Sequence, residues 1–169
     1  MSGVELIRPA VTAADIAAAR VLFEAYAASL NVDLCFQNFA DELAYLPGAY
    51  APPRGRLLLA GPVASPVGCV ALRPLPGDGE STPTGEVKRL YVSPAARGTG
   101  LGRALAHAVL AHARAIGYGA LKLDTLSTMT EARALYASLG FRECAAYYDN
   151  PLPEVVYMSL RLSSADGAG

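Results

Sequence analysis

The sequence predicts an α/β (α+β) domain, and three observations carry that reading. Runs of strand length alternate with longer segments of helical period, in the order strand, helices, three strands, helix, strand, helix, two strands. A turn rich in small residues, with Gly98, Gly100 and Gly102, joins the end of a strand to the start of a long helix. The 169 residues are 53% hydrophobic with a mean hydropathy of +0.29, enough for a single sizeable core.

Residues 4–8, Val-Glu-Leu-Ile-Arg, alternate loosely and predict a first strand ended by Pro9. Thr12 offers an N-cap and Asp15 stands near the helix start. Ile16, Ala19, Phe23, Tyr26, Ala27 and Leu30 then recur at helical steps, predicting an amphipathic helix. A second helix is expected around residues 39–46, closed by Pro47-Gly48, with a loop over 50–55 that holds Pro52-Pro53. Residues 56–60 and 67–72 are apolar runs bounded by Gly61-Pro62 and Pro74, and read as strands. The polar stretch 76–85, PGDGESTPTG, predicts an exposed hairpin loop within one antiparallel meander. A strand over 86–92 follows.

In the next helix Leu101, Leu105, Ala108, Val109, His112 and Ile116 share one face and Arg103, His107 and Arg114 the other, until Gly117 ends it. Residues 120–125 alternate as a strand. Thr128-x-x-Glu131 has the form of a capping box for a helix over 129–139, with Gly140 its stop. Residues 141–145 and 155–162 supply the last strands. The expectation is one domain over 1–162 and a disordered tail, SSADGAG, over 163–169.

Fourteen basic against fifteen acidic residues give a net charge of −1, with no electrostatic footprint for nucleic acid or an anionic membrane. No run of about 18 apolar residues marks a membrane span. The start, MSGVELIRPA, lacks the basic region and apolar core of a secretory signal. Cys35, Cys69 and Cys144 are odd in number and contain no CxxC pair, which argues against disulfides and a metal site and for a reducing cytoplasm.

The glycine turn is where chemistry enters. Glycines admit a ligand close to the backbone, and exposed N–H groups with the positive end of the helix dipole make an anion site there. Arg97 and Arg103 flank it. The phosphate loop GxxxxGK[ST] fails, since Arg103 and Ala104 follow Gly102; the dinucleotide pattern GxGxxG fails, since its third glycine would fall on Arg103 or Leu105. What fits is Arg97-x-x-Gly100-x-Gly102 after a strand ending Leu90-Tyr91-Val92. This resembles the acyl-CoA-binding motif of the GNAT superfamily of N-acetyltransferases. The element order, Ala134-Leu135-Tyr136 and Leu139-Gly140-Phe141 extend the resemblance over nearly the whole body.

The resemblance implies a central twisted, mixed and mostly antiparallel sheet of about seven strands flanked by about four helices. It implies acetyl-CoA as cosubstrate, no metal, and direct transfer in a ternary complex to a primary amine of a small molecule or amino acid. A protein N-terminus or lysine is the runner-up acceptor. A non-catalytic acyl-CoA sensor is the alternative from another class, and a generic nucleotide binder ranks below both. The oligomeric state is left open, a homodimer included.

By the same resemblance, backbone N–H groups of Arg97, Gly98, Thr99, Gly100, Leu101, Gly102 and Arg103 hold the pyrophosphate, while the main chain of Leu90, Tyr91 and Val92 receives the pantetheine arm and polarises the carbonyl. Glu86 is the candidate general base, working by partial burial or through water, because a free glutamate at about 4.3 is far below an alkylammonium near about 10. Tyr136 is the candidate acid for the leaving thiolate. Met129 stands where many relatives carry an Asn that contacts the cofactor, so Thr128 or Thr130 would have to replace it. Phe36, Tyr147, Tyr148 and Asn150 are the candidate acceptor residues. His107 reads as surface, His112 as flanking the core, and Cys69 and Cys144 as buried hydrophobes. Arg73, Lys88, Arg89 and Lys122 read as solvated strand charges.

Overall fold

The computed structural model describes residues 7–30, 34, 38–76 and 83–162; the expected tail 163–169 lies outside them. Strand β1 (Ile7–Pro9) leads into helix α1 (Ala13–Leu30). The Thr12 hydroxyl accepts the Asp15 N–H at 3.1 Å, and the Asp15 carboxylate accepts the N–H groups of Thr12 and Val11 at 3.1 and 2.9 Å, so the first turn is capped from both sides. Helix α2 (Phe39–Ala44) and a 3₁₀ turn at Gly48–Tyr50 lead to β2 (Arg56–Ala60), β3 (Gly68–Pro74) and β4 (Thr84–Val92). A second 3₁₀ turn, Pro94–Ala96, precedes α3 (Leu101–Ile116); β5 (Ala120–Leu126), α4 (Thr130–Ser138), β6 (Arg142–Cys144) and β7 (Val155–Arg161) follow.

The strands form one seven-stranded sheet in the order β1-β2-β3-β4-β5-β7-β6. Among the described residues only β4 and β5 run parallel, and the other pairings are antiparallel. This is the mixed, mostly antiparallel α/β architecture the sequence predicts. Period-two alternation sorts the strands between two cores. Leu58, Val70, Leu72, Val87, Leu121, Leu123 and Met158 pack beneath Leu105, Val109 and Ala113 of α3 and Tyr136 of α4. On the other face, Leu57, Leu59, Cys69, Ala71 and Tyr91 meet Ala19, Leu22 and Phe23 of α1.

Two irregularities of β4 make the functional geometry. Its pairing with β5 ends after Thr84–Ala120, Gly85–Leu121 and Glu86–Lys122, so the two strands part beyond Glu86. Toward β3 the register slips, Cys69 facing Tyr91 but Ala71 facing Lys88, which sets Arg89 and Leu90 against the single residue Val70. Such a bulge bends its strand. Arg89 takes the left-handed conformation, φ 63°, that the extra residue requires.

The bulge also corrects the expectation that Lys88 and Arg89 are solvated: they are 6% and 3% exposed. Arg89 turns under α1 and α2, donates to both carboxylate oxygens of Glu42 at 2.9 and 3.0 Å, and lies against the rings of Phe39 and Tyr26.

Helix α4 begins at Thr130, and no side chain caps it. The Met129 N–H closes a turn on the Leu126 carbonyl at 2.9 Å, which takes Thr128 out of the capping position that its spacing suggests. Cys69 is buried and Cys144, on the short edge strand β6, is partly exposed; both are free thiols, and Cys35 lies outside the described residues. Among the described residues no helix is long and apolar enough to cross a membrane, and no cluster of His, Cys, Asp and Glu could hold a metal ion.

Candidate functional site

Where β4 leaves β5 lie two adjoining cavities, a wide outer groove and a narrow inner cleft. The outer groove, about 650 Å³, runs from the glycine turn along the open edge of β4. Leu90, Tyr91 and Val92 form one wall, Arg97, Gly98, Gly100, Leu101 and Gly102 the end. Tyr26 and Leu30 of α1 and the start of α4 complete it. The inner cleft, about 50 Å³, shares Tyr26, Leu30, Leu90, Leu126, Met129 and Ala132 with the groove and continues to Val87, Lys88, Arg89, Asp124, Tyr136 and Asn150.

The glycine turn takes its shape from backbone conformation. Gly98 and Gly100 have φ of 80° and 84°, which non-glycine residues adopt at a cost, and a Cβ at either would meet nothing within 4 Å. Gly102 lies in the first turn of α3, where a Cβ would meet only the Val92 side chain, at 3.8 Å, on the groove side. The Arg97 guanidinium donates to the Val92 carbonyl at 3.0 Å and lies 5.8 Å from the Tyr91 ring centre, tying turn to strand. Thr99 and Arg103 are turned elsewhere: Thr99 donates to the Ala96 carbonyl at 2.6 Å, and Arg103 reaches Ser138 at 3.1 Å. Neither lines the groove.

Tyr136 projects from α4 into the inner cleft, its ring edge-on to Phe141 at 5.5 Å. Burial, with the charge of Asp124 in support, pushes its phenol well above the usual range. Met129, Thr128 and Thr130 all line the groove.

Glu86 is 1% exposed and lines neither cavity. One carboxylate oxygen accepts Arg73 Nε at 2.8 Å and the other accepts the Tyr147 hydroxyl at 2.7 Å. Tyr147 belongs to the loop between β6 and β7, which folds over this face of the sheet. Its neighbour Tyr148 donates to Asp124 Oδ2 at 2.7 Å, and Asn150 donates to the Tyr148 oxygen at 2.7 Å. The rings of Tyr147, Tyr148 and Tyr157 stand edge-to-face at 5.3–5.7 Å, a rigid aromatic triad. Burial first, then the facing carboxylates Glu86 and Asp124, raise the phenols of Tyr147 and Tyr148. Of the four candidate acceptor residues, three are thus brought to one place; Phe36 lies outside the described residues. His107 is exposed, and His112 is half-buried, accepting Arg56 Nε at 3.1 Å away from the cavity.

Asp124 is a cleft residue that sequence reasoning passed over, and Lys88 is one that it read as solvated. The signal was present in the alternation Lys122, Asp124, Leu126, which places Asp124 on the face shared with Glu86. What was invisible was the parting of β4 from β5 that uncovers it.

A sequence model of the Acetyltransferase (GNAT) family matches residues 22–141, and the chain belongs to that family of acyltransferases. It is 41% identical over 145 residues to an uncharacterized N-acetyltransferase of Schizosaccharomyces pombe, covering 85% of this chain and 86% of that one. An acetyltransferase from Streptococcus agalactiae shares the fold with a TM-score of 0.73 at 20% identity, over 92% of this chain and 97% of the other. YncA of Salmonella typhimurium, solved with its cofactor acetyl-CoA, superimposes with a TM-score of 0.62 at 24% identity, over 94% of each chain.

Proposed function

We propose that this protein moves an acetyl group from acetyl-CoA to a primary amine of a small molecule or amino acid, by direct transfer within a ternary complex. The observation that supports this best is the adjacency of the two cavities, which share Leu90 and Met129 among their walls and lead from the glycine turn along β4 to the cleft that holds Tyr136. With its pyrophosphate at the N–H groups of the turn, the cofactor would lay its pantetheine arm along Leu90 to Val92, where the arm takes the place of a strand neighbour. The amine nitrogen attacks the thioester carbonyl, the C–S bond breaks, and the thiolate takes the Tyr136 proton.

Glu86 is the terminal proton acceptor in this reading. With its carboxylate closed off by Arg73 and Tyr147 and outside the lining of both cavities, it takes the proton through a water relay rather than from the amine itself. The narrow inner end favours a small acceptor over a folded protein surface. The free thiols of Cys69 and Cys144 fit a reducing cytoplasm.

The test is thiol release from acetyl-CoA with a panel of amines. Saturable release with at least one amine is the expected result. Saturable acetyl-CoA binding without turnover for any acceptor would replace this reading with that of a sensor. Glu86→Gln should lower turnover by about a hundredfold with acetyl-CoA affinity retained; undiminished turnover removes Glu86 from the proton path.

A further inference from the structure

We propose that Asp124 is the residue that binds the acceptor's ammonium group, and that the acceptor carries this group on a small apolar stem. This rests on the acetyltransferase reading and assigns the acceptor end of the same cavity. Three carboxylates gather on this face of the sheet. Glu42 is ion-paired with Arg89 and Glu86 with Arg73. Asp124 differs: among the described residues it has no ion-pair partner, and its one hydrogen bond is the neutral Tyr148 hydroxyl on Oδ2.

That hydroxyl is itself held by Asn150, whose side-chain oxygen accepts the Leu152 N–H at 2.9 Å, so the carboxylate is oriented by a chain of fixed donors. Asp124 lines the cleft with Tyr136 and Leu90, placing a cation bound there beside the proposed acyl position. Lys88 lines the same cleft and interacts electrostatically with Asp124, with no ion pair between the two. Leu30, Leu34 and Leu152 supply the apolar wall for the stem. A carboxylate is a far weaker base than an alkylamine, so Asp124 holds and orients the ammonium, and the proton leaves by another group.

In steady-state kinetics with the best amine, Asp124→Asn should raise the acceptor KM about tenfold or more while kcat changes less than about threefold. Acetyl-CoA binding, measured by calorimetry, serves as the check on folding. A second measurement needs no variant. Against the wild-type protein, an alkylammonium ion should compete with the acceptor at least about tenfold better than the alcohol of the same skeleton.

An unchanged KM in Asp124→Asn overturns the assignment, as does an alcohol that competes equally well. If the wild-type protein turns over an amine and either result is found, this assignment alone falls. If it binds acetyl-CoA but turns over no amine, the acetyltransferase reading falls and this one with it.

Discussion

Burial holds the Tyr136 hydroxyl above the ordinary phenol range, which makes it a poorer acid than an exposed tyrosine. A thiolate released in the same cleft also loses its hydration, so its proton affinity rises with that of the phenol and the match between them survives. Tyr136→Phe keeps the ring and its edge contact with Phe141, removing only the proton. Turnover is expected to fall by about a hundredfold with acetyl-CoA affinity intact; wild-type turnover would take Tyr136 out of the mechanism. Gly102 poses the complementary question. Its added methyl would meet only Val92, at 3.8 Å, so Gly102→Ala should fold and gain up to about 1 kcal/mol of helix propensity. The methyl would stand in the groove, however, and acetyl-CoA affinity should weaken by about tenfold. A more stable variant with unaltered affinity would mean that the cofactor does not approach this turn. Gly100→Ala is no substitute for this test, since φ of 84° strains any larger residue before a ligand arrives.

Helix α1 forms one wall of the groove through Tyr26 and Leu30, so whatever holds its start also holds the site. The Asp15 carboxyl is lowered to about 2 from its ordinary 3.8, first by the N–H groups of Val11 and Thr12, and also by Arg8 at 2.9 Å. A carboxyl depressed on folding contributes stability that is complete above its unfolded value and lost as pH falls toward its folded one. Stability should therefore decline between about pH 4 and pH 2, and Asp15→Asn should flatten that part of the acid-unfolding curve. An identical curve for the variant would show that other carboxyls govern acid unfolding. Thr12→Ala, which removes the reciprocal bond, is expected to cost about 1 kcal/mol in denaturant melts.

This cap was legible in the sequence because Thr12 and Asp15 act within one turn. The strand β2 and the end of α3 at Gly117 were legible for the same local reason. The capping box at Thr128 was misread because a competing turn, Met129 onto Leu126, depends on where β5 ends. The burial of Lys88 and Arg89 depends on a bulge and on Glu42, forty-seven residues from Arg89, and no local pattern announces either.

For the whole molecule, the consequence of the parted strands is a sheet made of two halves. Three residue pairs join β4 to β5, and the core beneath α3 and α4 spans both halves. Beyond Glu86 the edge of β4 that faces β5 pairs with no strand among the described residues, so a pantetheine arm can join the hydrogen-bond ladder there. A ligand that binds only the folded state stabilises it by about 2.7 kcal/mol at a hundred times its Kd. For a domain of this size that is a rise in melting midpoint of roughly 5–10 °C. Acetyl-CoA should produce that rise and at the same time slow hydrogen exchange of the β4 amides beyond Glu86. ATP and NAD carry a pyrophosphate but no pantetheine, so they can occupy the glycine turn without completing the sheet. They should shift the melt far less and leave the β4 amides unprotected. Equal shifts from all three ligands would mean that the turn alone is recognised and that the open edge of β4 takes no part in binding.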